Sequence, residues 1–145
     1  MRRGGGLHNA DLHGMCDKLS ASSAVGSWQS SSADWGDTSP TDAIVENCNG
    51  CDILISEAYA RASFDLVSPE WQRYRLAFHT SAQELGAIAS KAKPGLLILY
   101  HRGNAGCDQA GTEQCREAGS ENQLLKEVRQ AYSGKVVAGQ DLDVY

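Results

Sequence analysis

The chain has 145 residues, 13 Lys and Arg against 18 Asp and Glu, and a net charge of -5. That length suits one domain with one core, and the apolar and charged fractions are ordinary for a globular protein rather than a disordered one. The acidic balance works against broad binding to nucleic acid, which needs Lys and Arg gathered on one face, although a local basic patch is not excluded. The longest apolar run, Leu96 to Tyr100, is strand-sized and far short of a bilayer span.

Met1-Arg2-Arg3 is followed by glycines and mixed polar residues, so the apolar core of a secretion signal does not follow. Five cysteines (Cys16, Cys48, Cys51, Cys107, Cys115) form an odd set in such a chain. Reduced thiols in a cytoplasmic protein are therefore expected.

Met1 to Trp35 is rich in Gly, Ser and Ala without helical or strand period, and reads as a weakly structured segment, 1–35. From Gly36 apolar stretches of strand length alternate with helical periods, so 36–145 reads as the folded unit of an α/β protein. Pro40, after Thr38 and Ser39 as caps, opens a short helix that carries Ala43, Ile44 and Val45 and ends near Asn49-Gly50. Cys51 to Ser56 is a buried strand. Pro69 opens a helix whose apolar side contains Trp71, Tyr74 and Phe78, placed at core spacing rather than as a substrate platform. Thr80 or Ser81 caps the next helix, with Leu85, Ile88 and Ala89 inward, and Pro94-Gly95 ends it.

Leu96 to Tyr100 is the clearest strand, continuously apolar as in a sheet covered on both faces. A long polar stretch, Arg102 to Gly119, precedes a helix capped by Ser120 and carrying Leu124, Leu125 and Val128. Lys135 to Ala138 and Leu142 to Tyr145 read as two last strands. There is no internal repeat.

Four residues stand at the edges of these elements: Asp37 after Gly36, Glu57 at the end of a strand, His79 between two helices, and His101 ending the next strand. Ligands and reacting groups in α/β proteins gather outside the carboxyl ends of strands. Carboxylate oxygen and imidazole nitrogen suit zinc and related divalent ions. Each residue alone also fits a turn, a cap or an ordinary hydrogen bond. Cys48-x-x-Cys51 joins a helix end to a strand rather than opening a helix, and Cys107 and Cys115 are too far apart for a second zinc knuckle, so the cysteines read as structural.

The runs Gly36-Asp37-Thr38-Ser39-Pro40-Thr41-Asp42-Ala43, Asp52-Ile53-Leu54-Ile55-Ser56-Glu57-Ala58, His79-Thr80-Ser81-Ala82 and Leu97-Ile98-Leu99-Tyr100-His101, closed by Gly139-Gln140-Asp141-Leu142-Asp143-Val144-Tyr145, resemble the C-terminal half of the metallo-β-lactamase superfamily, nearest its ribonuclease Z-like branch. The resemblance implies half of an αββα sandwich: one mixed sheet with flanking helices. It implies that Asp37 matches a carboxylate bridging two metal ions and His101 the last histidine ligand. Glu57 and His79 then match a supporting catalytic pair beside the metals, the histidine assisting proton transfer to the leaving group. Glu57 or Asp52 is expected to orient a ligating histidine.

The family's His-x-His-x-Asp-His motif is missing, and neither His8 nor His13 reproduces it; no apolar strand is expected before the Gly-Asp-Thr turn. Two ligands fall short of the about three that catalytic zinc generally keeps. The expectation is a metal-dependent hydrolase, with two zinc or manganese ions in a complete site, inactive in this chain alone. It is read as a gene fragment, a mispredicted frame or half of a split enzyme. The alternative is a non-catalytic α/β remnant or interaction module. Half a sandwich leaves an apolar sheet face that calls for a homodimer or a complementing chain.

Overall fold

A computed structural model of the protein describes residues 31–35, 39–100, 107 and 110–145. The segment 1–30, with His8, His13 and Cys16, lies outside the described residues, as do Asp37 and His101. Four strands, β1 (Ser32–Trp35), β2 (Ile53–Glu57), β3 (Leu96–Tyr100) and β4 (Val136–Ala138), form one sheet in that order. Among the described residues every pairing is parallel, where a mixed sheet was expected. The helices between successive strands account for this, because each crossover returns the chain to the same edge before the next strand begins.

Strand β1 stands at the end of the segment 1–35, where the sequence shows no strand period. Its sequence, Ser-Ala-Asp-Trp, carries little strand signal of its own. Pairing with β2 supplies it, with Ala33 opposite Leu54 and buried while Asp34 faces out. Helix α1 (Asp42–Cys48) starts later than the proline suggests, because the Thr41 side chain, rather than Thr38 or Ser39, accepts the Ala43 N–H at 3.3 Å. It ends on Asn49 in the left-handed conformation, followed by Gly50 at φ +83°. This reversal, which glycine tolerates without a Cβ penalty, brings Cys51 back against Cys48.

The two cysteines are disulfide-bonded with Cα atoms 4.8 Å apart, and Cys107 bonds Cys115 at 5.2 Å. The expectation of free thiols fails for these four, because an odd total says nothing about local proximity. Both Cα separations lie in the range a disulfide spans.

A 3-10 helix (Arg61–Leu66) and α2 (Pro69–Phe78) follow β2. Helix α3 (Ala82–Ala92) is capped by Ser81 in a reciprocal capping box with Glu84 and stops at Lys93, before Pro94. Beyond β3, the stretch expected to be a loop contains α4 (Glu113–Ala118), capped by Thr112. Helix α5 (Glu121–Val128) is capped by Ser120. The expected last strand, Leu142–Tyr145, is not formed: Leu142 takes φ +71° and both Leu142 and Val144 are almost fully exposed.

Helix α3 packs between α1 and α5, and together they cover one face of the sheet. Ile44, Leu85, Ala89, Leu124 and Val128 from the helices meet Leu54, Leu97, Leu99 and Val136 from the strands, all essentially out of water. Burial of each of the larger side chains is worth about 1.5–3 kcal/mol. The opposite face carries Ile53, Ile55, Leu96, Tyr100 and Val137 only half-buried, and a groove of about 830 Å³ opens there between Asp34, Ile98 and Tyr145. No helix among the described residues is long and apolar enough to cross a membrane.

Candidate functional site

Parallel strands that run side by side end side by side, and three of the four candidate residues belong to such ends. The register pairs Trp35 with Ser56 and Glu57 with Tyr100. Asp37, two residues after β1 in sequence, and His101, the residue after β3, lie outside the described residues. Ser39 donates its hydroxyl to the Ala77 carbonyl at 2.7 Å, which ties the start of the described stretch 39–100 to the end of α2 next to His79.

Glu57 and His79 are brought together. Glu57 Oε2 lies 2.9 Å from His79 Nδ1, and Glu57 Oε1 accepts the Thr80 N–H at 2.9 Å. Both side chains are buried, His79 at 6 % exposure and Glu57 at 1 %. A carboxylate removed from water is tolerated when its oxygens are hydrogen-bonded, and here both are. With Nδ1–H donating to Glu57, the imidazole holds its basic lone pair on Nε2, the arrangement in which a carboxylate fixes tautomer and ring orientation. The Tyr74 ring meets the imidazole edge-on, centroids 5.0 Å apart.

The backbone around the pair is equally fixed. Tyr59 N–H donates to the Thr80 carbonyl at 3.1 Å and Ala82 N–H to the Tyr59 carbonyl at 2.9 Å, a short parallel bridge from the end of β2 to the start of α3. The Ser81 cap then locks the helix: Ser81 Oγ donates to Glu84 Oε2 at 2.6 Å and accepts the Glu84 N–H at 3.3 Å.

These motifs have counterparts in known proteins. A ribonuclease Z of Haloarcula marismortui is 27% identical over 106 residues, 73% of this chain and 29% of the relative. A ribonuclease Z of Thermoplasma acidophilum is 33% identical over 66 residues, 46% of this chain and 20% of the relative. The crystal structure of the metallo-β-lactamase fold protein YhfI from Bacillus subtilis superposes with a TM-score of 0.54 at 24% identity, over 79% of this chain and 39% of that one. The chain resembles the metallo-β-lactamase superfamily, on the side of its ribonuclease Z-like branch. It spans less than a third of the length of these ribonuclease Z relatives. No family model matches it. The helix-flanked parallel layer is thus part of a metallo-β-lactamase fold.

Within that fold two expectations change. Asp52 stands at the opposite end of β2 from Glu57 and accepts the Ser31 N–H at 2.7 Å, so it cannot orient a ligand at the carboxyl edge. Trp71 and Tyr74 are not simply core: Trp71 packs partly against Val67 and the Cys107–Cys115 disulfide, while Tyr74 and Phe78 are 41% and 54% exposed. Helix α2 instead buries Arg75, whose Nη1 donates to Ser63 Oγ at 2.9 Å and whose guanidinium lies 5.2 Å from the Tyr59 ring centre. Burial disfavours charge at both partners, lowering the pKa of Arg75 and raising that of Tyr59.

Among the described residues no three His, Cys, Asp or Glu side chains are grouped to hold a metal ion. Cys48 and Cys51 sit at the amino edge of β2, at the far end of that strand from Glu57. Thr80, whose backbone N–H completes the hydrogen bonding of Glu57, and Tyr59, whose own N–H bonds the Thr80 carbonyl, carry no side-chain signature by which sequence could single them out. The Ser81-x-x-Glu84 spacing could have been read as a capping box, and with it the end of the His79 turn.

Proposed function

We propose that this chain supplies part of a metal-dependent hydrolytic site, in which His79, oriented by Glu57, handles the proton of the leaving group. The observation that carries the reading is the buried Glu57–His79 pair at 2.9 Å on the carboxyl edge of the sheet, beside the ends of the strands that lead to Asp37 and His101. Phosphodiesters are the substrate class suggested by the ribonuclease Z relatives.

Asp37 and His101 offer one oxygen and one nitrogen donor, a chemistry suited to zinc or manganese, but two donors are fewer than the about three of a catalytic zinc site. Further ligands have to come from outside these 145 residues, and without them the site is inactive. Two metal ions in a completed site would supply an activated water and charge stabilisation. The half-buried apolar face of Ile53, Ile55, Leu96 and Val137 is where a partner docks. A cytoplasmic location belongs to the same reading, and the disulfides Cys48–Cys51 and Cys107–Cys115 stand against it, since that compartment keeps thiols reduced.

Elemental analysis of the purified chain, with Asp37→Ala and His101→Ala beside it, tests the proposal, together with hydrolysis of a chromogenic phosphodiester. Metal bound by the parent chain and lost in both variants supports the inherited site. A stable chain that takes up no metal, even at excess zinc or manganese, favours the second reading, a non-catalytic α/β interaction module.

A further inference from the structure

The 3-10 helix after β2 begins without a cap of its own. Ala60 occupies the capping position and makes no side-chain hydrogen bond, so the first backbone N–H groups need acceptors from another part of the chain. Glu127 of α5, which follows in sequence by more than sixty residues, provides them: Oε2 accepts the Arg61 N–H at 2.6 Å and Oε1 the Ala62 N–H at 2.9 Å. Gln123, one turn earlier on α5, donates its side-chain amide to the same Oε1 at 2.8 Å. Glu127 is 2% exposed. A carboxyl group is removed from water at a cost of several kcal/mol unless its oxygens are hydrogen-bonded, and here both are.

Only Ala58, Tyr59 and Ala60 separate Glu57 from the residues Glu127 holds, and all three are buried. Tyr59 is fixed midway by its backbone bonds to Thr80 and Ala82. The chain leaving β2 is therefore gripped at two points, by the start of α3 and by α5. Slack at the second grip reaches the first within two residues.

We infer that Glu127 is a positioning residue for the Glu57–His79 pair, coupling α5 to the geometry at which the carboxylate meets the imidazole. The inference rests on the proposed role of that pair, and its test needs no activity. The isotopically labelled full chain is compared by NMR with Glu127→Gln, which puts an amide NH₂ where one backbone N–H points, and with Gln123→Ala, which removes only the supporting bond. Ile44→Val, in the core at α1, is the control for destabilisation alone.

The expected result is that Glu127→Gln speeds amide exchange at Arg61, Ala62 and Thr80 by about tenfold relative to the control, the loss of roughly one hydrogen bond, and moves the His79 ring-nitrogen signals. Gln123→Ala should do the same to a smaller degree, and it decides the matter if Glu127→Gln does not fold. Variants that melt earlier but leave the His79 and Thr80 signals where the control has them would overturn the inference and reduce Glu127 to a remote cap. Metal content, measured on the same samples, separates this outcome from failure of the hydrolase reading, since a metal-free parent chain leaves the NMR comparison intact.

Discussion

The two faces of the sheet are made from the same aliphatic residues and end in different surroundings. Leu54, Leu97 and Val136 lie sealed beneath α1, α3 and α5, whereas Ile53, Ile55, Leu96 and Val137, their neighbours along the same strands, remain half in water. An unbroken apolar run in a parallel strand says that both faces want cover. It does not say that one chain provides both covers. The helix side holds the unit together, and the open side has no such helix layer over it among the described residues.

The largest expected effect sharpens that contrast. Leu54→Ala should cost about 2–5 kcal/mol, the usual price of a cavity in a sealed core. Ile55→Ala, one residue away on the open face, should cost about 1 kcal/mol, since a half-buried side chain loses half as much. Urea unfolding of both variants measures the difference, and equal costs would mean that the open face is covered in solution by something the isolated unit does not show.

Next in size is Gly86→Ala in α3. A Cβ there would sit 2.5 Å from the Val128 carbonyl oxygen of α5, so the two helices would have to separate. Overpacking of this kind costs about 1–3 kcal/mol. The loss should appear as a lower melting temperature. A neutral outcome would show that the covered side is looser than its close helix approach implies, and would weaken the distinction between the faces.

Helices α2 and α3 show how much of this was legible. In α3 the spacing of Leu85, Ile88 and Ala89 identifies the inward face correctly, and Ser81 announces its start. In α2 the stripe of Trp71, Tyr74 and Phe78 is equally regular, yet Arg75 is the residue that points in. Periodicity finds a stripe without fixing the rotation of the helix, and here Ser63 and Tyr59 draw the guanidinium inward. Strand β3 could be read to the residue because its apolar run is self-sufficient, whereas β1 could not, because its strand character comes from β2.

The site divides in the same way. Glu57 and His79 were legible as residues at element edges, but their contact depends on how α2 and α3 turn back over the sheet. Glu127 gave no signal, since only the folded chain brings α5 to the start of the 3-10 helix. The cysteine pairs were hidden for a related reason: the reversal at Asn49-Gly50, not the number of thiols, sets Cys48 beside Cys51.

The smallest effect is confined to alkaline solution and tests how dry the covered side is. Burial raises the pKa of Tyr59 and of Tyr132 above the ordinary 10.0, so the folded chain keeps both phenols protonated at pH values where the unfolded chain ionises them. The unfolded state then binds fewer protons, and stability falls as pH rises. Their contribution is complete below pH 10.0 and is lost as pH climbs through the raised values of the folded state. Tyr59→Phe and Tyr132→Phe should each flatten the decline in melting temperature above that point. Tyr132→Phe should also cost about 1 kcal/mol at neutral pH, because its hydroxyl donates to the Pro94 carbonyl at 2.9 Å. An unchanged alkaline slope in Tyr132→Phe would mean that water reaches this core phenol, and the side of the sheet taken as sealed would then be open as well.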